Sequence, residues 1–234
     1  SGSRADRRRR CRTGLLYKEL ERTLLSTQGM GVLFRLVCLA FLVAVSGKPQ
    51  KQPKLVEVPV KTGDVVLQTS TSSRSALIRR VSSSPYSHVG LIEVANDGVF
   101  VIEAVQPVSR TPWKTWRARG VGGKVTVLRA KELDAEALEK VVSTAKTWLG
   151  KPYDARYQWD DDKLYCSELV TKAFEQGAGV TVGTQQQVKS LELSAADLAL
   201  GPKLGIDPEQ TLVTPQSVAV DSHLSLVHTD FASR

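Results

Sequence analysis

Apolar and polar positions follow two different periods along this chain, and the switches between them mark strands and helices. Val65-Val66-Leu67 follow the turn signal Gly63-Asp64 and predict a short strand. His88–Val94 and Val99–Val105 are β-rich runs separated by Ala95-Asn96-Asp97-Gly98, which predicts a hairpin. Val125–Leu128 predicts another strand, with further candidates at Thr211–Val213 and Leu224–Val227. Ala76–Val81 suits a short helix. After Asp134 the period changes to that of a helix. Asp134 is placed as N-cap, Leu133 and Leu138 as hydrophobic staple, and Leu138, Val141, Val142, Ala145, Trp148 and Leu149 as one apolar face ending at Gly150. A second helix is expected to start near Cys166, bury Leu169, Val170, Ala173 and Phe174, and stop at Gly177. The pattern is that of an α+β domain from about Val56 to the C-terminus, an antiparallel sheet with helices segregated from it.

The N-terminal part reads differently. Met30 is followed by a basic residue, Arg35, then an uncharged apolar run Leu36–Val45 and the small-x-small site Ala44-Val45-Ser46. These are the parts of a secretory signal peptide over 30–46, and the run is too short to span a bilayer. Residues 1–29 then read as an upstream, disordered extension and 47–55 as a polar linker. The net charge of +8 invites a nucleic-acid reading. However, residues 1–47 hold nine Arg and Lys against three acidic residues, so the rest of the chain is close to neutral. Of three cysteines, cleavage after Ser46 would leave Cys166 alone. A single thiol in an exported, periplasmic or secreted protein is either inert or reactive.

Three segments carry candidate chemistry: Tyr86-Ser87-His88-Val89-Gly90, Val101-Ile102-Glu103-Ala104 and Tyr165-Cys166-Ser167-Glu168-Leu169. A thiol attacks well only as thiolate, which an imidazole and a helix N-terminus both favour. Cys166 has the second by position. If the hairpin loop is even-numbered, His88 and Glu103 share a sheet face. With Val94 facing Val99 they are diagonal neighbours, and Gly90, opposite Glu103, leaves room between them. A carboxylate beside an imidazole orients it and stabilises its cation.

At these residues the sequence resembles a known family. GDVVLQTS (63–70), SPYSHVGLIE (84–93), VIEAVQPV (101–108), GKPYD (150–154) and LYCSELV (164–170) occur in the order found in the YiiX-like permuted papain-fold amidases, relatives of the NlpC-type cysteine peptidases. The resemblance covers Thr62 to Gly179. It implies a circularly permuted papain-like fold, with an antiparallel barrel-like sheet packed against helices. It implies Cys166 as nucleophile, His88 as base and Glu103 as third polar residue. Relatives in the wider superfamily cut amide bonds of peptidoglycan stem peptides, and others of the permuted group move acyl chains on lipids.

Gln68 and Tyr165 are candidate hydrogen-bond donors to an oxyanion or substrate, and Tyr153 a candidate lining residue of the cleft. Asp160–Asp162 reads as a solvated acidic turn. His223 and His228 have no metal-ligand spacing and read as surface residues. Trp113 and Trp116 with Lys114, Arg117 and Arg119 form a basic-aromatic segment whose default is packing. The expected protein is a cell-envelope thiol hydrolase that needs no cofactor and no metal. Its substrate would be a peptidoglycan peptide or a lipid-like amide or ester, with no nucleic acid and no transmembrane helix in the mature form. The alternatives are a lipid acyltransferase or thioesterase using the same site, and a non-catalytic envelope-binding module.

Overall fold

A computed structural model describes residues 57–232. The upstream extension, signal peptide and linker read from the sequence, with Cys11 and Cys38, lie outside the described residues. Six strands form one sheet with all pairings antiparallel: β1 (Val65–Gln68), β2 (His88–Ala95), β3 (Gly98–Glu103), β4 (Ser109–Pro112), β5 (Thr126–Ala130) and β8 (Leu224–Thr229), in the order β4-β3-β2-β1-β5-β8. Two short strands, β6 (Gln185–Gln187) and β7 (Thr211–Val213), pair separately. The helices are α1 (Ser75–Val81), α2 (Trp113–Arg119), α3 (Ala135–Lys146), α4 (Cys166–Ala178), α5 (Ala195–Leu200) and α6 (Pro215–Ala219). No described helix is long and apolar enough to cross a membrane.

Alternation along the strands builds two cores. One face of the sheet places Val65, Leu67, Val89, Leu91 and Ile102 against α3 and α4. The other places Val66, Ile92, Val101 and Val127 against Trp116 of α2. The hairpin turns on Asn96-Asp97, and Val94 faces Val99, which is the register that makes His88 and Glu103 diagonal neighbours. A Cβ at Gly90 would stand 2.5 Å from Val101 Cγ1, so the close approach of β3 requires glycine there.

α3 begins as its sequence predicts: the Asp134 carboxylate accepts the Ala137 N–H at 2.9 Å, a cap of about 1 kcal/mol. The helix stops at Lys146, however, and Leu149 is exposed rather than part of the apolar face. α4 also departs from expectation. It passes through Gly177 and ends at Gly179, whose φ of 67° supplies the left-handed cap. Gly177 serves packing instead, since a Cβ there would lie 2.6 Å from Val141 Cα of α3. β4, α2, β6, α5 and α6 are elements the periodicity did not predict. Each is short or polar, so burial by neighbours rather than its own pattern fixes it.

The segment after α4 folds back onto its start. The Tyr165 hydroxyl oxygen accepts the Val213 N–H at 3.0 Å, and Ser167 Oγ donates to the Val213 carbonyl at 2.7 Å. β7 is thereby tied to the first turn of α4.

Candidate active site

α4 opens on Cys166, with Tyr165 as N-cap. Glu168 accepts the Tyr165 N–H at 3.1 Å, which satisfies one donor of the helix start and leaves others directed at the thiol's end. Cys166 is free and almost wholly buried. It belongs to the core beneath the sheet, whereas His88 and Glu103 point from the sheet's other face. The two meet at the sheet's end because His88 is the first residue of β2 and comes close enough to Cys166 for the thiol to raise the imidazole pKa.

Glu103 anchors the imidazole. Its Oε2 lies 2.5 Å from His88 Nε2, which leaves Nδ1 for the thiol. The carboxylate has no exposed surface and is surrounded by donors: Thr111 Oγ1 at 2.6 Å, Trp116 Nε1 at 3.0 Å and Arg119 Nη2 at 2.5 Å. Burial would raise its pKa, but His88 and Arg119 outweigh burial and hold it down to about 2. For His88 burial acts downward, and the bonds to Cys166 and then to Glu103 overcome it, raising the imidazole to about 9. A cationic imidazole between a carboxylate and a sulfur is the state this arrangement favours.

The loop before α4 closes the site. Buried Asp154 accepts the N–H groups of Arg156 and Gln158, and Tyr153 bridges to Leu164. The loop holds Tyr157 at a left-handed φ of 57°, where Gln210 Nε2 donates to its carbonyl at 3.1 Å. The Tyr153 and Tyr157 hydroxyls bond each other near Cys166, and both titrate higher than ordinary tyrosine, chiefly through burial.

Two cavities meet this constellation. One, of about 100 Å³, has Cys166, Ser167 and Tyr157 in its lining, and otherwise mostly aliphatic side chains. The other, of about 420 Å³, has His88, Tyr153, Arg74 and Arg119 with a run of serines.

Comparison with known proteins decides the family. A model of the permuted papain-like amidases of the YaeF/YiiX group, C92, matches residues 59–228. The chain belongs to that family. It is therefore a cysteine-type amidase, a hydrolase, with the permuted papain-like fold. The uncharacterized protein YiiX of Escherichia coli K12 is 40% identical over 189 residues, 79% of this chain and 90% of YiiX. The crystal structure of YiiX from Escherichia coli O157:H7, described as a metalloprotein, superposes with a TM-score of 0.69 at 40% identity, covering 74% of this chain and 98% of that one. Among the described residues of the present family member, no three His, Cys, Asp or Glu side chains converge as a metal-ligand set.

The candidates from sequence fall in different places. His88, Glu103 and Cys166 come together, and Tyr153 lines the His88 cavity. Tyr165 is buried, with its hydroxyl committed to Val213, and its ring stands edge-to-face with Tyr157, the ring centroids 5.5 Å apart. Gln68 pairs with His88 across the strands but is wholly buried, lines neither cavity, and has both amide atoms without a hydrogen-bond partner. Its Oε1 would be 2.1 Å from a Cβ at Gly120. The basic-aromatic segment proves to be the cage of Glu103, through Trp116 and Arg119. Thr111, Tyr157 and Arg74 were not anticipated. A signal for Thr111 existed, since β4 follows Glu103 closely enough to pair with it. The acidic turn is held by Lys172, which reaches Asp161 at 2.9 Å. His223 and His228 bond Asp221 and Asp230 near the surface.

Proposed function

We propose that this amidase works through Cys166, His88 and Glu103 in the cell envelope. His88 takes the thiol proton, and Cys166 Sγ attacks the amide carbonyl. The tetrahedral oxyanion is stabilised by free N–H groups of the first turn of α4. The C–N bond breaks as His88 returns the proton to the leaving amine. Water then attacks the thioester, with His88 as base, and frees the acid and the thiol. Glu103 keeps the imidazole oriented throughout. The observation that carries this reading is the continuous chain from the caged Glu103 carboxylate through His88 to Cys166 at a helix start.

Amide bonds of peptidoglycan stem peptides are the first substrate class. A lipid-like amide or ester is the second, and the aliphatic cavity at Cys166 supports it. The test compares wild type with Cys166→Ala on purified muropeptides and on lipid esters, read by mass spectrometry. Turnover by wild type only is expected, and equal turnover by both proteins overturns the reading.

A further inference from the structure

Cleaving an amide yields two fragments, and they leave the site by different routes. The acyl fragment ends on Cys166 Sγ, while the amine departs past the imidazole that gives it a proton. The cavity that His88 lines, of about 420 Å³, is therefore the place for the amine. Its volume lies within the range of small-molecule sites, about 300–1,000 Å³.

The chemistry of this cavity is polar and one-sided. Residues 70–74 and Ser87 line it, with Gln106 and Arg119, and no carboxylate is among its lining residues. The hydroxyls largely serve one another. Ser87 Oγ lies 2.7 Å from Ser75 Oγ and accepts the Ser70 N–H at 2.8 Å, and Ser70 Oγ lies 3.0 Å from Ser72 Oγ. They make a fixed polar wall with no negative charge to offset a cation. Of the two guanidinium groups, Arg119 is committed to Glu103. That of Arg74 has no ion-pair or hydrogen-bond partner among the described residues. Its charge reaches the hydroxyls of Tyr153 and Tyr157 beside Cys166, and Tyr153 lines the same cavity. Gln106 Oε1 accepts the Tyr153 N–H at 2.7 Å, and the Gln106 NH2 has no partner among the described residues. A guanidinium is a planar fork of donors that matches one carboxylate. Its single charge balances a carboxylate, whereas a phosphate monoester carries about −1.5 to −2 at pH 7 and would stay partly unbalanced.

We propose that the His88 cavity is the subsite for the leaving amine and that Arg74 selects amines carrying a free carboxylate. The substrate class is then an amide of an amino acid whose carboxyl group is free. Attack forms the C–S bond, the C–N bond breaks, the thiol proton leaves on the amine through His88, and water hydrolyses the thioester to restore the thiol. This rests on Cys166 as nucleophile and His88 as the acid, and it names the side of the substrate that the mechanism leaves open.

Run backwards, the same subsite receives an amine that intercepts the acyl-enzyme, so it can be read whatever the natural acyl group is. The purified full chain is treated with p-nitrophenyl acetate, whose acetyl group makes little demand on the acyl side. Intact mass should show one acetyl group on wild type and none on Cys166→Ala. The acetyl-enzyme is then offered alanine, alaninamide or aminomethylphosphonate, and N-acetyl product is measured against acetate by mass spectrometry. At equal concentrations of unprotonated amine, alanine should intercept about tenfold better than alaninamide, as a charge-assisted bond provides. Arg74→Gln should bring that ratio close to one, and Arg74→Lys should restore part of it. Four results overturn the inference and leave the thiol mechanism standing: equal interception by alanine and alaninamide, a preference that Arg74→Gln leaves intact, an advantage of the phosphonate over alanine, or no interception by any amine. Absence of Cys166-dependent acetylation overturns both.

Discussion

Glu103 and Glu168 are both wholly buried, and each stands beside one member of the Cys166–His88 pair, yet they sit at opposite ends of the carboxylate range. Glu103 is held down to about 2, while Glu168 is pushed up to about 7. Burial raises both. The difference lies in the donors. Glu103 is met by His88, Arg119, Trp116 and Thr111. Glu168 has the Lys172 ammonium at 2.9 Å and the Tyr165 N–H, which fall short of offsetting desolvation. Among buried carboxylates, the count and rigidity of donors decides the charge state, and depth alone does not. The charge that matters for an imidazolium is kept at Glu103.

The sharpest test removes each carboxylate in turn. Glu103→Ala leaves Arg119 and the Trp116 and Thr111 donors around an empty buried space. We expect a loss of about 3–5 kcal/mol in urea unfolding, together with activity. Glu103→Gln keeps the shape and separates the two effects. The fold should survive, kcat should fall about 100-fold or more with KM little changed, and the His88 midpoint, followed by NMR titration, should drop from about 9 toward the ordinary histidine value. A His88 midpoint unmoved in Glu103→Gln would deny Glu103 its positioning role.

How far the sequence revealed this site follows from the same contrast. The pairing of His88 with Glu103 was legible, because a hairpin's turn fixes its register and the register fixes the face. The helix start at Cys166 was legible from its apolar period. The approach of thiol to imidazole from opposite layers was not. It depends on how α4 lies against the end of β2, and no local pattern encodes that angle. Arg119 and Trp116 were visible as a basic-aromatic segment, but their target was not, because α2 is only seven residues long and has no stripe of its own. Gln68 shows the converse error. The sequence offers it as a donor near the cleft, and its strand does pair it with His88, but strand position does not tell whether a side chain reaches a cleft or is sealed behind it.

The next largest effect is on pH dependence. Glu168 has a folded pKa above its unfolded value, so its stabilising contribution is complete below pH 4.5 and is lost as pH rises through about 7. Glu103 runs the other way. Its contribution is present above pH 4.5 and is lost as pH falls toward 2. Glu168→Gln should therefore flatten the decline in stability between pH 4.5 and 7, by at most about 3 kcal/mol, and leave the acid side unchanged. Melting temperatures of the two proteins across that window measure it. A wild type as flat as Glu168→Gln would mean that Lys172 neutralises Glu168 as fully as the cage does Glu103.

The smallest effect belongs to Arg119, and its source distinguishes the parts of the cage. The Arg119 side chain is 39% exposed, whereas Trp116 is wholly buried. Its charge is therefore partly screened by solvent, and Arg119→Met should cost about 1 kcal/mol or less with a few-fold fall in kcat. Salt provides the check. Raising ionic strength should shrink the gap between wild type and Arg119→Met, because an exposed charge is screened within a Debye length of about 10 Å at 0.1 M. The gap between wild type and Trp116→Phe should not change, because that variant removes a buried neutral donor. If both gaps responded equally to salt, Glu103 would owe its low pKa to the surface cation rather than to its enclosed neighbours, and its contrast with Glu168 would reduce to arginine against lysine.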